Sequence, residues 1–368
     1  MARLTELNID VLDLIVSELH SAAAIAALGQ TCRFLHITTI PFLYAHVSLD
    51  QDAAQVLQFC TTILSSSISG IQLGETVLSL SIGADGFHMK ESVVRDGKMV
   101  VMKSEEPVPD LFAEELCDAI MRMPRLGSFA CCDFTGELLL AEPRIGIALS
   151  GCHRLTEVRF DGLDDESAPM IEGLRNLRVI HFAPSWRSTL TAALGVPLTP
   201  ISGIGKVICN SRDTLEDVSL PRCWLRDLIT PSPDGQQPTW PRVHTLHLPH
   251  SYANFVLLGK SFPNIQHLSA LQLRDDNSRD LSGLQDPSSN PLLRSIEGHY
   301  PMVRAVCQGR TLRRIVITSA GGARLQDDEA SHDANQTALR DYLDMVRGSR
   351  TRSLKFDVLG DVRLKPND

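Results

Sequence analysis

Three histidines stand three apart in His244-Thr-Leu-His247-Leu-Pro-His250, a spacing that on a helix would set the first pair on one side, ready to hold a metal ion. The residues between them argue for a different element. Val243, Leu246 and Leu248 make a strand pattern, in which residues three apart point to opposite faces, and Pro249 constrains its end. Surface or edge histidines are therefore expected, and no metal site. Gly203-Ile-Gly205-Lys206 is a fragment of a phosphate loop without the later glycine of a dinucleotide fingerprint or the Gly-Lys-Ser/Thr of a P-loop. Asp164-Asp165-Glu166 reads as a solvated turn. Cys131 and Cys132 fall on a predicted strand, one inward and one outward, with nothing basic beside them to stabilise a thiolate. No Gly-x-Ser-x-Gly elbow occurs. The sequence thus offers no catalytic residue, no cofactor and no metal ligand set, and the chain is expected not to be an enzyme.

Composition narrows the partners. The 368 residues carry 35 Lys and Arg against 44 Asp and Glu, a formal charge of −9, so no basic surplus exists to neutralise nucleic-acid phosphates. Nine cysteines without a C-x-x-C pair read as reduced, packed thiols of a cytoplasmic or nuclear protein. Residues 1–10 carry acids rather than a basic n-region, so no signal peptide is expected. No stretch approaches about 20 uninterrupted apolar residues, so no membrane partner is expected.

The elements behind these residues repeat. An apolar residue is followed by others three and five positions later in Val77-x-x-Leu80-x-Ile82, Leu155-x-x-Val158-x-Phe160, Leu177-x-x-Ile180-x-Phe182 and Leu215-x-x-Val218-x-Leu220. Val243-x-x-Leu246-x-Leu248 and Leu312-x-x-Ile315-x-Ile317 continue the series, and weaker copies begin at Leu126, Ile265, Leu293 and Thr351. The last two apolar positions share one face of a short strand. One strand cannot bury that face alone, but stacked neighbours make a continuous core. Helical spacing precedes several strands, most clearly over residues 112–123, and proline closes the helix or loop before Leu126, Val243 and Ile265. Residues 83–110 read as an inserted hairpin or loop, and 184–200, 231–241 and 275–291 as long connections. An acidic loop at 326–333 leads to a last helix over about 335–347.

The first 49 residues differ. Ile9, Leu12, Ile15, Val16 and Leu19 recur at helical spacing, with Asn8 as cap and Asp10 in the first turn. A second helix from about Ala22 carries Ile25, Leu28 and Cys32 on one side, and a third piece around residues 34–44 is expected to be cut by Pro41. So short a segment cannot bury all these side chains internally. Leu7-Asn8-Ile9-Asp10 running into Val11, Leu12, Ile15 and Leu19, then Leu28 to Cys32-Arg33-Phe34-Leu35, then Pro41-Phe42-Leu43-Tyr44 before His46–Leu49, resembles the F-box family. Asn8 stands where that family usually has proline, and no tryptophan follows Arg33. The resemblance implies that Leu7, Asn8, Ile9, Leu12, Ile15, Leu28 and Cys32 bind a Skp-type adaptor and, through it, a cullin scaffold.

The repeats resemble leucine-rich repeats in the degenerate form found in F-box proteins, although the spacing between strand starts is irregular, 22 residues in one place and 38 in the next, and no asparagine ladder follows the strands. The implied fold is α/β: an F-box-like helical domain over residues 1–49, then an irregular leucine-rich-repeat solenoid over 50–368 with a parallel concave sheet. A single doubly wound α/β domain shares the local alternation but not the count of about ten strands. Residues alternating with the core would face the concave surface: Glu157, Arg159, Asp161, His181, Asp217, His247, Glu297, Arg314 and Lys355, a row of mixed charge without an aromatic platform, suited to a protein target. The function implied is that of a substrate receptor in a Skp/cullin/F-box ubiquitin ligase. The alternative is a repeat scaffold unconnected to ubiquitin transfer, its N-terminal helices serving only as a cap.

Overall fold

The computed structural model describes residues 7–19, 21–65, 67–68, 71–95, 98–104, 106–184, 196–270, 291–298, 300–307, 310–318 and 353–357. They belong to two units, Met1–Leu177 and Arg178–Asp368.

Three helices open the first unit: α1 (Ile9–Ser17), α2 (Ala22–Gly29) and α3 (Arg33–Ala45). The Asn8 side chain accepts the Asp10 N–H at 3.3 Å and starts α1, as its position in the sequence suggests. Leu12 and Val16 are buried on one side of that helix. Pro41 does not cut the third piece: α3 runs through it to Ala45. The proline removes one backbone donor, but Leu35, Thr38, Thr39 and Ile40 are buried on this helix, and that packing holds it through the gap. Helices α2 and α3 approach so closely at Gly29 that an added methyl there would meet the Thr39 hydroxyl.

The chain passes from α3 straight into β1 (His46–Leu49), then α4 (Ala53–Ser65) and a small antiparallel pair, β2 (Ser67–Ile68) and β3 (Ile71–Gln72). After β4 (Ser79–Ile82), residues read as an insertion form an antiparallel hairpin, β5 (Lys90–Arg95) and β6 (Lys98–Lys103). Helix α5 (Ala113–Met121), β7 (Ser128–Cys131), α6 (Thr135–Ala141), α7 (Arg144–Gly151) and β8 (Glu157–Leu163) complete the unit. Strands β1, β4, β7 and β8 pair in parallel. Their register sets Leu80, Phe129 and Val158 in one inward row and Leu49, Ile82, Cys131 and Phe160 in the next.

The second unit repeats the scheme. Its elements are β9 (Val179–Pro184), β10 (Val196–Pro197), α8 (Gly203–Asn210), β11 (Asp217–Ser219), β12 (Cys223–Trp224), α9 (Arg226–Ile229), β13 (Thr245–His247), α10 (Phe255–Ser261), β14 (His267–Ala270), β15 (Ser295–Gly298), α11 (Tyr300–Cys307), β16 (Arg314–Thr318) and β17 (Ser353–Asp357). Strands β9, β11, β13, β14, β15, β16 and β17 pair in parallel, in that order. Ile180, Val218, Leu246, Leu268, Ile296 and Ile315 line up across them as one buried row. The first apolar position of each described copy, from Val77 and Leu126 to Leu293 and Leu312, is buried too. Helices, turns and parallel strands stacked unit by unit are the arrangement of an irregular leucine-rich-repeat solenoid. The acidic loop at 326–333, the last helix at 335–347, the connection at 275–290 and most of that at 184–200 lie outside the described residues, as does Thr351. Among the described residues no helix is long and apolar enough to cross a membrane.

The core of the second unit is anchored by Trp240, which is fully buried. Its ring stacks on Phe262 with centroids 5.1 Å apart and planes at 20°, and its indole N–H donates to the Ile208 carbonyl at 3.2 Å. Replacing Trp240 with alanine is expected to remove about 3–5 kcal/mol of stability. Urea unfolding followed by circular dichroism reads this as a lower midpoint.

Candidate recognition surface

Most described strand residues that alternate with the buried rows are half-buried or exposed. In the second unit they form two register-aligned lines. One runs Val179, Asp217, Thr245, His267, Ser295, Arg314 and Ser353; the other runs His181, Ser219, His247, Ser269, Glu297, Val316 and Lys355. Asp217, His247 and Glu297 are half-buried, as is His181, and Arg314 is exposed. The sequence-read positions His181, Asp217, His247, Glu297 and Arg314 therefore fall on one aligned face, Lys355 is aligned with them in backbone register only, and Ser269 and Val316, on the second line, are buried.

Electrostatics ties part of this face together. Burial raises the Asp217 carboxyl above its ordinary range, against the opposing pull of His247, His244, His181 and His267. Burial lowers His267, and the positive neighbours His244, Arg294, His247 and Arg314 push the same way. His244 precedes β13 rather than lying in it, and its ring nitrogen meets the Thr245 hydroxyl at 3.1 Å. It therefore acts beside His247 on Asp217 and His267 rather than on the opposite face, which corrects the strand-alternation expectation. Just before β9 and β11, Arg178 grips Glu216 with two nitrogens, at 3.1 and 2.7 Å, and this pairing lowers the Glu216 carboxyl.

The first unit presents a different outer face. Its lines read His46, Ser79, Ser128, Glu157 and Ser48, Ser81, Ala130, Arg159, so the two middle strands carry only serine and alanine. Glu157 and Arg159 are exposed, and Arg159 reaches Asp161 at 3.4 Å.

At the N-terminal helices the structure redistributes the residues read as adaptor contacts. Leu12 is fully buried and belongs to the core, because it and Val16 lie on the inward stripe of α1. Ile15, Leu28 and Cys32 are half-buried, Leu7 is half-buried, and Asn8 and Ile9 are exposed. The outward apolar side chains of α1 are Ile9 at 48%, Val11 at 43% and Leu14 at 63% exposure, the last two at the i, i+3 spacing that puts both on one side of the helix. Phe34, at the start of α3, is exposed as well.

One feature of the second unit was missed in the sequence. Leu220-Pro-Arg-Cys-Trp224 and Leu248-Pro-His-Ser-Tyr252 are the same pattern 28 residues apart. In each, the proline ends the strand, and a non-glycine residue takes a left-handed conformation, Arg222 at φ 56° and His250 at φ 58°. The chain then resumes a second short parallel ladder. Pro197 aligns with Trp224, and Trp224 with Tyr252. Ser251 locks it from inside by donating to the Leu220 carbonyl at 2.7 Å and accepting the Cys223 N–H at 3.2 Å. Outside, the Trp224 and Tyr252 rings lie 5.1 Å apart, with Trp224 37% exposed. The pair sits beyond the strands that carry the repeat pattern, outside the row of strand residues expected to face a target, which itself holds no aromatic side chain among the described residues.

Burial dominates the chemistry of the thiols and outweighs the pull of nearby guanidinium groups such as Arg144 at Cys117 and Arg310 at Cys307. All nine cysteines are free. Burial pushes Cys60, Cys223 and Cys307 up to about 12 and Cys152 up to about 11, so they stay protonated and pack as apolar groups. Cys131 is buried, and Cys132, just past β7, is half-buried, its thiol also raised by burial. Among the described residues no group of three or more His, Cys, Asp or Glu side chains is arranged to hold a metal ion.

No protein-family model matches the sequence, and no curated protein matches it. Among solved structures the chain is similar to an internalin from Listeria monocytogenes, at 10% identity and a TM-score of 0.34, over 93% of this chain and 90% of that one.

Because His267 takes up its proton less readily in the folded chain than in the unfolded one, stability is fully present above the ordinary imidazole range and falls as pH drops toward its lowered folded value. His267→Gln is expected to reduce the fall in melting temperature between about pH 7.5 and about pH 5.5, read by differential scanning fluorimetry.

Proposed function

We propose that this chain is a non-catalytic recognition protein that uses two separate surfaces. The N-terminal helices dock a Skp-type adaptor and through it a cullin scaffold, and the outer face of the repeat sheet selects a target protein. Such a receptor would accelerate transfer by raising the effective concentration of the target beside the ubiquitin-transferring module. The observation that supports the first half most is the outward Val11 and Leu14 pair on a helix whose opposite side is already filled by Leu12 and Val16. An exposed apolar pair in a short helical segment costs solubility unless a partner covers it. The observation that supports the second half is the concentration of charged and imidazole side chains on one aligned face of the second unit, where the first unit carries mainly serine and alanine.

The test is co-expression of the full chain with a Skp-type adaptor followed by size-exclusion chromatography. Val11→Asp with Leu14→Asp is expected to abolish co-elution while leaving the melting temperature within a few degrees of the parent, since both side chains are solvent-facing. Leu12→Asp places a carboxylate in the core and is expected to lower the melting temperature sharply. Co-elution that survives the double substitution overturns Val11 and Leu14 as the adaptor contact, and co-elution that never occurs with the parent chain shifts the reading to a repeat scaffold outside ubiquitin transfer.

A further inference from the structure

The chain as a whole is acidic, at −9, yet the outward face from β9 to β16 gathers cationic and protonatable groups. His181 and His247 flank Ser219 in one line, and Asp217 and His267 flank Thr245 in the other. Adjacent strands are about 4.8 Å apart, so these imidazoles lie within one short peptide's reach. Toward the far side of the face, Arg294 and Arg314 add fixed positive charge that already reaches His267. Arg294 and Arg313, with Thr311, also wall a cavity of about 310 Å³ where β15 and β16 begin, its remaining lining being Pro291, Leu292, Leu293 and Leu312.

We propose that this face docks an acidic polypeptide segment and holds it more tightly as pH falls through the imidazole range, an inference that rests on reading the face as the recognition surface. The guanidinium groups at the cavity offer planar donors that match a carboxylate at any pH. The histidines supply the variable part. An imidazole takes up its proton at a higher pH than a carboxylate does, so acidification adds charge to imidazoles before it discharges an acidic ligand. Of the acids on these strands, Asp217 stands among the imidazoles and Glu297 lies on β15; Glu216 is held by Arg178. His267 is opposed by His244, His247, Arg294 and Arg314, and carboxylates arriving over it offset that repulsion, so docking draws protons onto the face. Each proton taken up on docking steepens the affinity by about tenfold per pH unit.

The test uses the full chain and three fluorescent peptides of equal length, rich in Asp/Glu, in Asn/Gln or in Lys, with anisotropy read at constant ionic strength. The expected result is binding of the acidic peptide alone, about tenfold or more tighter at about pH 5.5 than at about pH 7.5. The His181→Gln, His247→Gln, His267→Gln triple variant should flatten that dependence while keeping the parent's circular dichroism spectrum. Equal binding of the acidic peptide at both pH values, or a dependence the triple variant retains, overturns the proton coupling. Binding of the neutral or basic peptide in place of the acidic one overturns the acidic ligand while the recognition face stands. Binding of no peptide overturns both, and tighter binding of a single-stranded oligonucleotide than of the acidic peptide overturns the choice of a protein partner.

Discussion

A short strand with apolar residues on one side cannot bury them by itself, and every larger feature of this chain follows from how that problem is solved. Leu80, Phe129 and Val158 in the first unit, and Ile180, Val218, Leu246, Leu268, Ile296 and Ile315 in the second, are buried because each lies beside its counterpart on the next strand. The parallel register is the cause of that alignment, since a slip of one residue would turn each row to solvent. The apolar residue three positions before each strand's first core residue, such as Leu215 or Val243, closes the row from below. Connections of differing length are tolerated because only the strand register has to be kept.

Burying one face in this way leaves most of the other free of packing duty, Ser269 and Val316 excepted. The outward lines are therefore free to vary in chemistry, and the two units differ there although their inward lines are alike. Serine and alanine fill most of the first unit's outward positions, whereas the second unit collects His181, Asp217, His247, His267 and Arg314. The same freedom explains the neighbouring Trp224 and Tyr252 pair, which the Ser251 hydroxyl holds in place from the buried side.

The inward rows were legible in the sequence because burial leaves a spacing, and every described copy of that spacing proved to be a strand start. The outward face was legible only as a consequence of that register, and no residue type on it carries a signature of its own. The errors have physical sources. Pro41 sits inside α3 because the packed residues that precede it, Leu35 and Thr38 to Ile40, outweigh one missing backbone donor. Spacing puts Ile9, Leu12, Ile15, Val16 and Leu19 on one face of α1 but does not say which of them the core takes; Leu12 and Val16 went inward, and Ile9, Val11 and Leu14 outward. His244 failed the alternation rule because it precedes the strand. The aromatic pair was recoverable from the repeated Leu-Pro-x-x-aromatic pattern, which marks a strand end rather than a strand and so escapes a search for core spacing.

The central claim is that the N-terminal helices and the outward sheet face are solvent-facing recognition surfaces backed by a closed core. Hydroxyl-radical footprinting of the full chain, alone and with a Skp-type adaptor, reads it side chain by side chain. The account predicts rapid oxidation of Leu14, Trp224 and His247 in the free chain, slow oxidation of Leu12, Trp240 and Phe160, and protection of Leu14 but not of Trp224 or His247 when the adaptor is added. Oxidation of Leu12 at the rate of Leu14, or adaptor protection that falls on the sheet face instead of the helix, would contradict it.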